Sequence, residues 1–304
     1  MRPLELGLVL PLLEDPTSGD PYPWEGLEGR ARYAEQVGFD TVWVADELLW
    51  KIPSWPGPRG SWECVAVTGA VAATTSKIKV GTWVLSALHR NPGLTAKVAE
   101  TVDEISGGRF ILGFGAGHAG TQGEAFGFPL DRTVGRYEEA LEIVASLLKA
   151  GKADFGGDFH SAAGQILRPR GPRPGSIPLM LAGHGPRNIG LAVKHGDIWS
   201  AFATESSQPE AFAEMIHLVV QTCEDQDRDP ASLSKSIGVF VEPTDRHVAE
   251  SLGFGVPLTG SPAEIAEDVQ EFAEMGVDML ELVPIPDTNQ SAEALTEILA
   301  ILDE

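Results

Sequence analysis

The chain has 304 residues, 43% of them apolar, and a formal net charge of −22. That is ample material for a core, and so negative a surface argues against nucleic acid or an anionic membrane as partner, since phosphate is met by a basic stripe. Cys64 and Cys223 are the only cysteines and lie far apart, which points to two reduced thiols and not to a disulfide.

In the opening LELGLVLPLL, Glu5 interrupts the apolar run, and neither a basic stem nor a small-residue cleavage site is present. It reads as a first strand, Leu6–Leu10, and not as a signal peptide. Nothing reaches the ~18 apolar residues of a membrane span, so the expected location is the cytoplasm. A helix is expected over Trp24–Val37, ending at Gly38, then a strand at Thr41–Ala45 and a helix at Trp62–Thr75. Strand Val80–Leu85, helix Pro92–Ile105 and strand Phe110–Phe114 come next, with the following helix expected only at Arg132–Ala150, stopped by Gly151. Residues 152–168 read as a hairpin, and the RPRGPRPG stretch as a connector that cannot be helical. Further strands are expected at Ile177–Ala182, Asp197–Ala203, Ile237–Val241 and Met279–Val283, and helices at Pro186–His195, Pro209–Cys223, Pro262–Met275 and Ser291–Leu302. Eight strands, nearly all followed by helices and with no break in composition, predict an α/β fold: a (β/α)8 TIM barrel, one domain over residues 1–304, with loop insertions at the C-terminal face, one of them at residues 242–260.

The stretch GGRFILGFGAGHAGTQ carries G-x-G-x-x-G at Gly115, Gly117 and Gly120, directly after the Phe110–Phe114 strand. A dinucleotide fingerprint needs a helix opening inside the glycines and an acid ending a second strand about 20 residues on. With the next helix expected near Arg132, and Glu138 and Glu139 inside that helix, the context fails. What is left is a backbone surface at a strand end that a flat ring or a phosphate can approach closely.

Ionisable residues recur at strand ends: Asp46 and Glu47 after the second, His89 and Arg90 after the third, His118 after the fourth and His184 after the fifth. Their repetition at one face of a barrel indicates a shared site. No H-x-H or H-E-x-x-H suggests a catalytic metal. Adjacent residues on a strand point to opposite sides, so Asp46 and Glu47 make a poor glycosidase pair, and no strand-end lysine other than Lys51 suggests a Schiff base. In AGHGPRN, glycines flank His184 and Pro186 opens a helix, which fits either a phosphate site or an ordinary strand-to-helix turn. Arg168, Arg170 and Arg173 are read as meeting either an anionic ligand tail or acidic neighbours of the fold. Trp50 and Trp55 either roof a ligand pocket or pack against a second subunit.

Four segments together resemble the luciferase-like flavin monooxygenase superfamily, including its coenzyme F420-dependent oxidoreductases: GFDTVWVADE, HRNPGLTAKVAETVDEISGGRFILGFGAGH, GEAFGFPLDRTVGRYEEALEIV and PLMLAGHGPRNIGLAVKHGDIWS. The resemblance implies a barrel whose C-terminal mouth receives a deazaflavin or flavin, with a non-proline cis peptide behind the ring mapping best onto Thr82–Trp83 or else onto a neighbouring bond. It places the phosphate loop at Gly183, His184, Gly185 and Pro186. The loop flanking the ring maps onto Gly115, Gly117, His118, Thr121 and Gln122. Many deazaflavin relatives carry Asp-His after strand two and a carboxylate after the G-x-G; here Asp46-Glu47 and His118 stand there, acid and histidine exchanged. The basic cluster that a sugar-phosphate substrate requires is missing as well.

The resulting expectation is a coenzyme F420-dependent hydride transfer with a small organic substrate. Asp46 is expected to bond the ring, His118 or Glu47 to move the proton, and Trp50, Trp55 and Phe254 to form an apolar substrate pocket. The alternatives are an FMN-dependent monooxygenase fed by a separate flavin reductase, and a non-catalytic flavin-binding barrel. Relatives are often dimers, so a homodimer is expected.

Overall fold

The computed structural model describes residues 2–117, 120–243 and 248–304. Eight parallel strands run in sequence around a closed ring: β1 (Glu5–Val9), β2 (Thr41–Val44), β3 (Lys79–Thr82), β4 (Phe110–Gly115), β5 (Leu179–Ala182), β6 (Ile198–Phe202), β7 (Ser234–Glu242) and β8 (Met279–Pro284). Leu181 of β5 pairs with Phe114 of β4, and Leu282 of β8 pairs with Leu8 of β1, which closes the barrel. Around it lie α1 (Trp24–Val37), α2 (Cys64–Thr74), α3 (Pro92–Ser106), α4 (Gly120–Phe126), α5 (Thr133–Ala150), α6 (Pro186–His195), α7 (Ala213–Asp225), α8 (Val248–Leu252), α9 (Pro262–Glu274) and α10 (Asn289–Asp303). None of the described helices is long and apolar enough to cross a membrane.

Local chemistry sets the helix ends. Asn91 accepts from the N–H groups of Gly93 and Leu94, Pro92 occupies the first position of α3, and Gly107 ends it at φ 67°. Ser261 and Glu264 form a reciprocal cap on α9.

Alternation along the strands divides two cores. Val42 and Val44 of β2 face the helical shell, while Trp43 joins Val9, Ile111, Met180, Ile198 and Met279 inside the barrel. The Trp43 indole fits because its neighbours lack side chains: a Cβ on Gly7 or on Gly81 would overlap its ring. Gly81→Ala is therefore expected to lower stability by about 1–3 kcal/mol through overpacking, measured by chemical denaturation.

Two local expectations are corrected, and the cis bond is located. The third strand was expected to reach Leu85, but β3 stops at Thr82, and Leu85–Ser86 re-pairs with Phe114 and Gly115 as a separate short strand. The non-proline cis bond between them is Trp83–Val84, the bond next to Thr82–Trp83 and one of the positions the resemblance left open. A helix, α4, does open at Gly120, so that part of the case against a dinucleotide fingerprint fails. The acid-terminated second strand is still missing, and a closed barrel is not the open sheet such a motif serves.

An antiparallel pair, Lys152–Gly156 with Ser161–Ile166, follows α5. Beyond it two of the connector's arginines, Arg170 and Arg173, turn onto acidic neighbours. Arg170 binds the buried Glu100 and the carbonyl of Leu148, and Arg173 binds Asp103 together with the carbonyl of Phe110 at 2.6 Å.

Candidate active site

Beyond β2 the chain leaves the sheet, and Asp46 and Glu47 turn to different partners. The Asp46 side chain is fully buried. Its Oδ2 accepts from the Ser86 N–H at 2.8 Å, contacts His89 Nδ1 at 3.1 Å and accepts from Arg90 Nη1 at 2.5 Å; Oδ1 accepts from Arg90 Nη2 at 2.9 Å. Burial by itself would raise the pKa of this carboxyl, but the bonds from His89, Arg90 and Ser86 outweigh it and hold the group below its ordinary value. Arg90 reaches on to Glu63 at 2.5 Å, whose other oxygen caps α2 at the Ala66 N–H. Asp46 thus ties the loop after β3 to the end of β2. The ring contact expected of it meets a carboxylate whose two oxygens are already engaged.

Glu47 is the contrasting acid. Gln122 of α4 donates from Nε2 to Glu47 Oε2 at 2.6 Å, while its Oε1 accepts from the Leu48 N–H at 2.9 Å. Gln122 is only 2% exposed, so α4 clamps the end of the second unit from the side. Burial pushes the Glu47 carboxyl up to about 8; the Gln122 bond works against this and the nearby Asp46 charge adds to it. At neutral pH Glu47 carries a proton and Asp46 does not. Two adjacent carboxyls pushed apart in this way are a common arrangement for acid–base work.

The glycines after β4 are explained first by the protein's own backbone. A Cβ on Gly113 would overlap the Thr82 carbonyl, one on Gly115 would crowd Val84, and one on Gly117, at φ 70°, would overlap the Ser86 hydroxyl. Thr82 donates to the Gly113 carbonyl at 2.9 Å and accepts from the Gly113 N–H at 3.0 Å, replacing a ladder bond where β3 ends. Its hydroxyl is therefore spent on the fold. Trp83 points into the barrel, over Gly238 and edge-on to Phe202 at 5.0 Å.

At the end of β5, Gly185 precedes α6 in extended conformation with no side-chain cap, and Pro186 begins the helix. A Cβ at Gly185 would meet nothing, so the approach to the first N–H groups is open. His184 Nε2 accepts from the Phe202 N–H at 3.1 Å, which requires that nitrogen to be unprotonated. Gly183 lies against Asn188.

Across the mouth, the Trp55 indole N–H donates to the Leu252 carbonyl at 2.9 Å, and Ser54 donates to the same oxygen at 3.3 Å. Trp55 meets Phe254 at 5.9 Å, Phe254 meets Phe240 at 5.0 Å, and Phe240 meets Phe202 at 5.0 Å. An aromatic chain therefore runs from the loop after β2, over α8, to Trp83. Trp50 is half-buried in a two-residue strand, Leu49–Trp50, paired with Arg59–Gly60. His118 lies outside the described residues, as does the side chain of Thr121.

The structure thus brings together Asp46, Glu47, Gln122, Trp83, Gly115 and Gly117 at one rim, and Gly183 to Pro186 at the next strand end. Arg90 was noted in the sequence only as a strand-end charge, and its pairing with Asp46 was not foreseen. Glu281, buried inside β8 and raised to about 8 by burial, was missed altogether. Its signal was an acid alone in the apolar run MLELVP.

A closed eight-stranded parallel barrel with an acid pair and an open helix start at its C-terminal mouth has the form of a barrel enzyme. Residues 4–249 match the luciferase-like monooxygenase family, and the chain belongs to it. It is 33% identical over 171 residues to a 5,10-methylenetetrahydromethanopterin reductase of Archaeoglobus fulgidus, covering 56% of this chain and 47% of that one. It is 31% identical over 169 residues to an F420-dependent glucose-6-phosphate dehydrogenase of Amycolatopsis mediterranei, covering 54% and 49%. The chain spans about half the length of these relatives. Among solved structures, an F420-dependent secondary alcohol dehydrogenase in complex with an F420-acetone adduct superimposes with a TM-score of 0.83 over 100% of both chains at 20% identity.

Proposed function

We propose that this protein is an oxidoreductase that moves a hydride between coenzyme F420 and a small organic substrate. The observation that carries the reading is Glu47, a carboxyl held neutral near pH 7 by burial and clamped by Gln122 at the mouth of the barrel. The relatives named for F420 chemistry support the cofactor over FMN.

The residues present fit such a group. The uncapped start of α6, left open at Gly185, suits an anionic phosphate, and Trp83, Val84, Gly115 and Gly117 provide a flat, largely apolar wall. When bound, the deazaflavin would supply two-electron hydride chemistry. The protein's part is positional and protonic. Gln122 holds Oε2 of Glu47 by a hydrogen bond, and the protonated carboxyl would give its proton to a substrate oxygen as carbon gains hydride; in the opposite direction the ionised form takes that proton back. His118 is retained as a second candidate for this transfer. Asp46, ionised and engaged by Arg90, His89 and Ser86, serves as a positioning residue for the wall behind the ring. Trp55 and Phe254 close the mouth against water, and together with Trp50 they favour an apolar substrate.

The test is titration of the purified protein with F420 and with FMN, following cofactor fluorescence. Tight binding of F420 with weak or no binding of FMN is expected. Preference for FMN would transfer the reading to an oxygen-using monooxygenase with a separate reductase, and binding of neither would remove it.

A further inference from the structure

Three polar atoms deep in the barrel have no hydrogen-bond partner among the described residues: Nε1 of Trp43, Oγ1 of Thr41 and Oε2 of Glu281. All three residues are 0% exposed. They belong to one neighbourhood, and Gly7 is at its centre. Gly7 of β1 lies level with Thr41 on β2 and with Glu281 on β8. The pyrrole edge of Trp43 covers Gly7 so closely that a Cβ there would overlap Nε1. A residue with no side chain is thus flanked by a hydroxyl and a carboxyl and roofed by an indole N–H.

The neighbouring groups are already engaged. Glu281 Oε1 is taken by the Ser236 hydroxyl. Gly238, also level with Glu281, lies beneath the Trp83 indole. Glu5 and Lys79, which share the inward-facing sides of β1 and β3, are paired with each other at 2.6 Å.

A buried polar atom left unpaired costs about 1–3 kcal/mol, so three in one place call for an occupant. The atoms themselves select it. The indole N–H points positive charge at any cation, the Lys79 ammonium is already paired with Glu5 and leaves no charge to balance an anion, and an apolar group would leave all three atoms unpaired. A small neutral molecule with both donors and acceptors meets every requirement, and internal waters commonly sit where two to four buried polar groups converge. We propose that the barrel holds a resident water that accepts from Trp43 Nε1 and is hydrogen-bonded to Thr41 Oγ1 and Glu281 Oε2. The assignment stands independently of the oxidoreductase reading. Burial raises Glu281 to about 8, so at neutral pH its carboxyl is uncharged, as a neutral partner requires.

A crystal structure of the full chain that shows ordered solvent tests the inference directly. The expected result is a density peak at about 2.7–3.2 Å from both Trp43 Nε1 and the Glu281 carboxyl. No peak there, or Trp43 donating directly to Glu281, would overturn it. In solution, the Trp43 indole proton, assigned with Trp43→Phe, is expected to show a cross-peak to long-lived water. The cross-peak should persist in Glu281→Gln and disappear in Glu281→Leu. Its absence from the wild type, or its survival in Glu281→Leu, would equally overturn the inference. Should the leucine variant fail to fold, the two wild-type measurements decide.

Discussion

Glu47→Gln is expected to lower kcat by about 10²–10⁴-fold, the contribution of a positioned proton donor, with F420 binding within a few-fold of wild type. The same variant is expected to be more stable than wild type near neutral pH. Burial raises Glu47 to about 8 in the folded protein, above its ordinary carboxylate value in the unfolded chain. Between those two values the unfolded state releases the proton and the folded state keeps it. Each rise in pH across that window therefore costs the folded state, and the cost is complete above about 8. A neutral amide removes this cost and still accepts from Gln122. Steady-state kinetics against pH supply the second arm. In the reducing direction the wild-type rate should fall as pH rises through about 8, and the variant should lack that limb. A variant that keeps full kcat, with the limb intact, would move the proton transfer elsewhere.

Arg90→Ala is the expected large loss of stability, about 3–5 kcal/mol by denaturant unfolding, because it strands a buried carboxylate. Asp46 has 0% side-chain exposure and takes both guanidinium nitrogens. Its pKa in the folded state lies below the ordinary value, so the stabilisation it provides is present above that ordinary value and is lost as pH falls through the folded one. Wild type should therefore lose stability on acidification in this low window, and Arg90→Ala should show a shallower loss. Adding Asp46→Asn to Arg90→Ala should recover part of the deficit, because no charge is then left buried; a double variant as unstable as the sum of the two single ones would refute the pairing.

Elements governed by local chemistry were legible in the sequence. The first helix runs over Trp24–Val37 as its spacing indicated, because Gly38 at φ 95° ends it. The glycines at 107 and 151 stop α3 and α5 in the same left-handed way. Features set by contacts between distant segments were not. The end of β3 at Thr82 depends on a hydroxyl bonded to Gly113, 31 residues away. The start of α4 at Gly120 lies in a glycine stretch that propensity alone reads as loop. In the site, Asp46 and Glu47 were singled out and given different roles, but neither their partners nor their protonation states could be read from the sequence. Burial and partners set those states, one acid on Arg90 and the other on Gln122. Glu281 was hidden because a single acid in an apolar strand reads the same whether it ends up inside or outside a barrel, and only the register with Gly7 and Gly238 places it.

The bond from the Trp55 indole to the Leu252 carbonyl has a consequence for anyone re-engineering the enzyme. The stretch at residues 49–60 and the insertion carrying α8 are two halves of one clasp, sharing that bond and the Trp55–Phe254 contact. Grafting either from a relative in order to borrow its preference would leave a tryptophan without its acceptor or an acceptor without its tryptophan. The unit of exchange is the pair, inherited together or not at all.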